Sequence, residues 1–202
     1  MARDELLAQR DRQIPRCLPD LFDYKTLLYI GMKIRNNYPS FRGQDGFDRA
    51  GYQIDVLELS PLTAQRLRRA NENGHKFLNT YRPPGMFRTV IEGDVRNAKA
   101  LTNGKYDVVM WWQGPEHVYP EEIEPTLAIL FEKTKKLIVL GCPCSPTTEL
   151  HPMVKNGQYK GSTSAHFSCI HSSFLEKLGY KTDLVGEPGQ KGNNLLAWKR
   201  KE

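Results

Sequence analysis

Apolar and polar positions divide this chain into short apolar runs separated by amphipathic or turn-rich segments. Residues 26–31, TLLYIG, are almost wholly apolar, the pattern of a strand covered on both faces. Residues 53–59 carry Ile54, Val56, Leu57 and Leu59 and predict a second buried strand, ending in Glu58-Leu59-Ser60-Pro61. Ser60 is placed to cap a helix whose first turn tolerates Pro61 and whose Leu62 and Leu67 sit among Gln65, Arg66, Arg68 and Arg69. Further strands are predicted over 87–91, 106–112, 136–140, 180–186 and 194–198. Residues 121–133 predict a helix packed through Ile123, Leu127, Leu130 and Phe131, and residues 167–178 predict another, stopped by Gly179.

The remaining segments are less regular. Residues 3–13 predict an exposed helix with Leu6 and Leu7 as its limited apolar contact, after which Pro15 and Pro19 interrupt regular hydrogen bonding. Asn36-Asn37-Tyr38-Pro39 reads as a turn, and a short helix around 44–50 would set Phe47 against the sheet. Residues 75–86 and 142–164 read as connections without regular structure.

Recurrent strand and helix signals favour a three-layer α/β domain over a bundle or a sandwich of sheets. The last two strands depart from that rhythm, because the glycine-rich link over 187–193 suggests an antiparallel hairpin at the sheet edge. A length of 202 residues suits one compact domain, here 26–202, with 1–25 as an N-terminal extension. The strand ending at Glu58 is expected beside the one ending at Gly31.

Composition narrows the function classes. The N-terminal residues mix both charge signs and lack the apolar run of a secretory signal, and no segment approaches the roughly 20 apolar residues that span a bilayer. A soluble, cytoplasmic protein without membrane association is expected, with Cys17, Cys142, Cys144 and Cys169 as reduced thiols. The formal charge of +6 comes from cations scattered among acids, which leaves nucleic acid open as a substrate without implying it.

Candidate chemistry collects at predicted strand ends, where an open parallel sheet binds its ligands. Glu58 can there accept hydrogen bonds from a ribose diol. Asp94 either accepts from an adenine amino group or caps the helical segment containing Ala98 to Leu101. Gly31 permits a close backbone turn. After the strand over 106–112 come Gln113 and Gly114, which suit a pocket rim, and then Glu116 and His117. His117 can accept a substrate proton, with Glu116 orienting it or a cationic substrate; pocket shaping or capping is the other reading. Trp111 and Trp112 pack in the core or line a pocket, pointing to opposite faces. Arg82 and Arg88 either bind an anionic acceptor or are simply solvated. Cys142-Pro143-Cys144, with His151, His166 and His171 downstream, lacks the spacing of structural zinc or CxxC redox sites, so no metal site is expected. No GxGxxG follows the first strand, and no GxxxxGK followed by serine or threonine occurs.

LLYIG, IDVLELSP, VIEGD, DVVMWWQGPEHV and the late HSSFLEKLGYKTDLVG followed by LLAWKR resemble the class I S-adenosylmethionine-dependent methyltransferases, over about Leu27 to Arg200. That resemblance implies a Rossmann-like three-layer sandwich with a seven-stranded, mostly parallel sheet and an antiparallel terminal strand. It implies S-adenosylmethionine as cofactor, with Glu58 on the ribose and Asp94 near the adenine. Gly31, Leu59, Val95 and Gln113 complete the implied cofactor set, and Glu116 and His117 stand on the acceptor side. The family's glycine-rich turn is matched here only by Gly31, because Met32 and Lys33 follow it. The expected activity is methyl transfer to a small molecule, with RNA or protein acceptors still open. The alternative is a catalytically silent Rossmann-like nucleotide-binding or interaction module.

Overall fold

The structure, a computed structural model, describes residues 3–35, 38–40, 47, 50–77, 80–158 and 165–202. Seven strands form the central sheet: β1 (Thr26–Ile30), β2 (Gln53–Glu58), β3 (Thr89–Glu92), β4 (Tyr106–Trp112), β5 (Thr134–Cys142), β6 (Lys181–Val185) and β7 (Asn194–Arg200). Their spatial order is β6-β7-β5-β4-β1-β2-β3. β1 to β5 run parallel, and β7 enters antiparallel between β5 and β6. This is a Rossmann-like α/β sandwich. Ile30 pairs with Leu57 across β1 and β2, so Gly31 and Glu58 end neighbouring strands as the sequence predicted.

Side chains alternate across the strands, and each face builds its own core. Leu28, Ile30, Val109 and Trp111 point one way and meet helix α3 (Pro120–Lys133) through Ile123, Leu127 and Leu130. Leu27, Tyr29, Val108, Met110 and Trp112 point the other way, against Ile14 of helix α1 (Arg3–Cys17) and Leu67 of helix α2 (Pro61–Asn73). Leu67 is wholly buried, and a leucine so placed contributes about 1.5–3 kcal/mol. Trp111 and Trp112 therefore both serve the core, one on each face.

Local chemistry sets the helix starts. Thr63 N–H donates to Ser60 Oγ at 3.3 Å, and Pro61 occupies the first turn of α2, where its missing N–H costs nothing. In α3, Glu122 reaches back to accept from Tyr119 N–H at 3.1 Å.

Several sequence expectations need correction. The first helix continues through Pro15 to Cys17; the proline lacks one backbone donor, and burial of Ile14 and Leu18 on either side offsets that loss. Gln13 donates to Asp183 and to the Asn194 carbonyl, which ties this helix to the terminal hairpin. Residues 75–86 contain a two-stranded ribbon of His75–Phe77 with Thr80–Arg82. Within 142–158, Glu149–Leu150 pairs with Ser168–Cys169, and Pro152–Lys155 forms one helical turn. That pairing holds the chain extended where helix was expected from 167, so α4 spans only Ser172–Lys177, capped by His171. The turn at Asn36-Asn37 and most of the helix expected around 44–50 lie outside the described residues, although Phe47 is buried as expected.

Arg88 is engaged within the sheet. Its guanidinium spans both Asp55 oxygens, at 2.9 and 2.6 Å, and Tyr106 OH donates to the same carboxylate at 2.7 Å. Among the described residues no helix is long and apolar enough to cross a membrane.

Candidate functional site

Parallel strands place their carboxyl ends along one edge, and the candidate residues lie there. Gly31 follows directly on β1; its φ of +72° favours glycine, and its amide donates to Leu57 O at 3.0 Å. Among the described residues a Cβ on Gly31 would meet nothing within 4 Å, so the backbone there is open to them. Glu58, 8% exposed, closes β2, and its Oε1 accepts from Ser60 N–H at 2.9 Å. Burial pushes its carboxyl pKa up, while the amides of Ser60, Met32 and Leu59 pull the other way. The amide after Gly31 therefore reaches the Glu58 carboxylate. Leu59 beside it is 56% exposed.

Asp94 follows β3. It caps the turn Val95–Asn97 by accepting from Arg96 N–H at 2.9 Å, and its carboxylate also receives the Arg96 guanidinium, with Nη2 at 2.5 Å. That pairing holds its pKa below the usual carboxylate range. Arg96 also bridges to Glu122 at 2.6 Å, which anchors the loop to α3. Val95 is half-buried against the core. Asp94 thus caps the turn Val95–Asn97 and not the helical segment Ala98–Leu101 expected from the sequence, which starts after Asn97.

Past β4, Gln113 has φ +53°, a left-handed conformation uncommon outside glycine, and its amide donates to Gly141 O at 2.6 Å. The strained residue turns the chain across the sheet edge. Gly114 follows with no room for a side chain, since a Cβ would lie 1.8 Å from Trp111 Nε1. The turn Pro115–His117 then carries the acceptor-side pair. Glu116 is 2% exposed, and neither carboxylate oxygen has a hydrogen-bond partner among the described residues. Burial lifts its pKa to about 8.

His117 is oriented by its backbone neighbours. Its Nδ1 lies 2.8 Å from Ala165 O, and a carbonyl only accepts, so Nδ1 carries a proton and Nε2 is the ring nitrogen left for other partners. Phe167 N–H donates to Glu116 O at 2.7 Å, and Ser168 Oγ donates to Val118 O at 2.5 Å. These bonds zip residues 116–118 to 165–168 and bring His166 to a ring-centroid distance of 5.1 Å from His117. The His166 pKa is lowered, first by burial and then by His117 and His151.

A cavity of about 350 Å³ lies beside this zipper. Gln113, Glu116, Cys144, His151, His166 and Asn193 are among its walls, with Arg10 from α1 and Lys191 from the hairpin link. Gln113 and Glu116 are thus brought to one space, whereas Gly31, Glu58 and Asp94 occupy the ends of β1, β2 and β3 on the other side of β4. His166, Asn193 and Arg10 were not singled out as acceptor-side groups from the sequence; they come from distant segments, and no spacing pattern connects them. Cys142 and Cys144 are free and buried, and burial raises both thiol pKa values, which opposes thiolate chemistry. Of the two arginines, Arg88 is paired to Asp55, and the Arg82 side chain lies outside the described residues.

No family model matches the sequence, and no curated protein matches it. Solved structures do resemble the fold. The magnesium protoporphyrin IX methyltransferase of Synechocystis PCC 6803, with bound S-adenosylhomocysteine, aligns at 12% identity and TM-score 0.58 over 98% of this chain and 84% of its own. The N-methyltransferase NodS of Bradyrhizobium japonicum WM9 aligns at 10% identity and TM-score 0.57, over 99% and 98%. The 1,6-didemethyltoxoflavin-N1-methyltransferase of Burkholderia thailandensis, with bound 1,6-didemethyltoxoflavin and S-adenosylhomocysteine, aligns at 15% identity and TM-score 0.59, over 95% and 77%. At such identities the likeness is one of fold.

Proposed function

We propose that this chain binds S-adenosylmethionine at the carboxyl ends of β1, β2 and β3 and transfers its methyl group to a small molecule seated beyond β4. The observation that carries the reading is the adjacency of open backbone at Gly31 to the Glu58 carboxylate, in a fold similar to that of methyltransferases that hold S-adenosylhomocysteine. Glu58 would take the ribose hydroxyls, with Gly31 letting the backbone approach the cofactor. Leu59, Asp94 and Val95 would surround the adenine. Gln113 would border both cofactor and acceptor, at the strained turn that ends β4.

Methyl transfer is an in-line displacement. An acceptor lone pair bonds to the methyl carbon while the carbon–sulfur pair returns to sulfur, which loses its positive charge. Alignment and preorganised electrostatics lower such a barrier without a covalent protein intermediate. The acceptor's proton would pass to His117 Nε2, whose orientation is fixed through the Ala165 carbonyl, with Glu116 beside it. The cavity volume falls in the range of about 300–1,000 Å³ common for small-molecule sites, which supports a small acceptor over a macromolecular one.

A nucleotide-binding module without transfer has one observation in its favour. Met32 leads directly into the strand Lys33–Arg35, where a glycine-rich turn would otherwise let the cofactor approach. Incubation with methyl-labelled S-adenosylmethionine and separated small-molecule, protein and RNA fractions decides between the readings. Label in the small-molecule fraction, lost in His117→Ala, is the expected result. Label confined to protein or RNA overturns the acceptor class, and full activity in His117→Ala overturns its role.

A further inference from the structure

We propose that Glu116, His117 and His166 form a binding site for one divalent transition-metal ion of the zinc type, at the wall of the cavity beyond β4. The assignment goes beyond methyl transfer and does not depend on it. The three side chains each offer one ligand atom, and these atoms lie within 4.8 Å of one another. Two imidazoles and a carboxylate are a donor set that binds zinc or ferrous iron, and three protein ligands leave a position open for a small molecule. Glu116 and His166 both line the cavity, so the open position would face it.

The Glu116 carboxylate supplies a second, independent observation. It is buried, neither oxygen has a partner among the described residues, and it belongs to the same wall. A buried polar group without a partner costs about 1–3 kcal/mol, more when charged, and a cation held between it and two imidazoles removes that cost. His117 is already set as a ligand. Its Nδ1–H is committed to the Ala165 carbonyl, the outer hydrogen bond that zinc-bound histidines usually make, and this leaves Nε2 as the donor atom.

The backbone bond from Phe167 N–H to Glu116 O and the side-chain bond from Ser168 Oγ to Val118 O fix the two segments in register. Donors on a tetrahedral ion at about 2.0–2.2 Å sit roughly 3.3 Å apart, so ligation asks for a contraction of at most about 1.5 Å from the 4.8 Å spacing. The buried thiols of Cys142 and Cys144 are not part of this group. With an ion bound, Nε2 of His117 is no longer free to accept a proton. An acceptor oxygen or nitrogen on the ion would instead become acidic enough to release its proton to solvent.

The test is equilibrium dialysis of the chelator-stripped 202-residue chain against micromolar Zn²⁺, with metal counted by mass spectrometry, and Co²⁺ substitution read by visible absorption. One ion per chain is expected, with cobalt bands of a nitrogen and oxygen site. Glu116→Gln and His166→Ala should each weaken binding by more than the roughly 10- to 100-fold that loss of a merely supporting residue causes, whereas Cys144→Ser should keep the ion. Circular dichroism establishes that each variant folds; should Glu116→Gln fail to fold, His166→Ala decides. No stoichiometric ion in the wild type, retention by the folded ligand variants, or a thiolate-to-cobalt band abolished in Cys144→Ser would each overturn the site. Calorimetric titration of the same stripped protein with S-adenosylhomocysteine reports on the cofactor separately, so failure of one assignment is distinguishable from failure of the other.

Discussion

Replacing Glu58 with glutamine separates the two jobs assigned to that side chain. In the folded protein Oε1 accepts from Ser60 N–H, and glutamine retains an oxygen for this bond while losing the charge. Burial places the folded pKa above that of the unfolded chain, so the folded state keeps this proton to higher pH. Its contribution is therefore most favourable below the unfolded value of about 4.3 and is lost as pH rises through the folded pKa. Above the folded pKa the ionised group opposes folding, and there Glu58→Gln should be as stable as the wild type or more so in urea unfolding. Cofactor affinity should move the other way. A charged acceptor exceeds a neutral one by about 1 kcal/mol per hydrogen bond, so a ribose diol loses about 1–2 kcal/mol, or roughly 5- to 30-fold in Kd. Calorimetric titration with S-adenosylhomocysteine at pH 8 measures this. Unchanged affinity together with a stability loss above about 1 kcal/mol would make Glu58 a structural acceptor only, and the reasoning would fail.

Gly114→Ala should destabilise by about 1–3 kcal/mol, because the new methyl meets the buried Trp111 indole; an unchanged urea midpoint would contradict that packing. Asp55→Asn leaves Arg88 and Tyr106 with a poorer acceptor. Breaking a buried pair costs about 3–5 kcal/mol, but Arg88 is 46% exposed and solvent screens part of this, so about 2 kcal/mol is expected in the same assay, and a change under about 0.5 kcal/mol would refute the network's importance. For Asp94 the folded pKa is depressed, so its stabilisation is present above the unfolded value of about 3.9 and is lost as pH falls through the folded one. Arg96→Ala should flatten the loss of stability between about pH 5 and pH 2, and an unaltered acid limb would show that the pairing contributes nothing.

The sheet was legible because its signals are local. β1, β2 and β4 are apolar runs bounded by glycine, proline or acidic residues, and the hairpin link over 187–193 marks the antiparallel turn that inserts β7. Ser60 and Pro61 announced the start of α2 for the same reason. Features made by distant pairing were not legible. The extended stretch at Ser168–Cys169 exists because Glu149–Leu150 pairs with it, and Phe167 to Leu178 by itself has a helical pattern. Glu116 and His117 stood out as an adjacent acid and imidazole after a strand. His166 joins them only through the bonds from Ala165, Phe167 and Ser168 to residues 116–118, which no spacing rule anticipates. Arg88 looked like a free surface cation because its partner, Asp55, lies 33 residues away on a neighbouring strand.

A crystal structure of the protein with S-adenosylhomocysteine tests the central claim most directly. The account predicts the ribose hydroxyls within hydrogen-bonding distance of the Glu58 carboxylate, the ligand backbone passing over Gly31, and the sulfur directed past Gln113 towards Glu116 and His117. Ligand bound elsewhere, or an empty crevice at the ends of β1 and β2 under saturating S-adenosylhomocysteine, would contradict it.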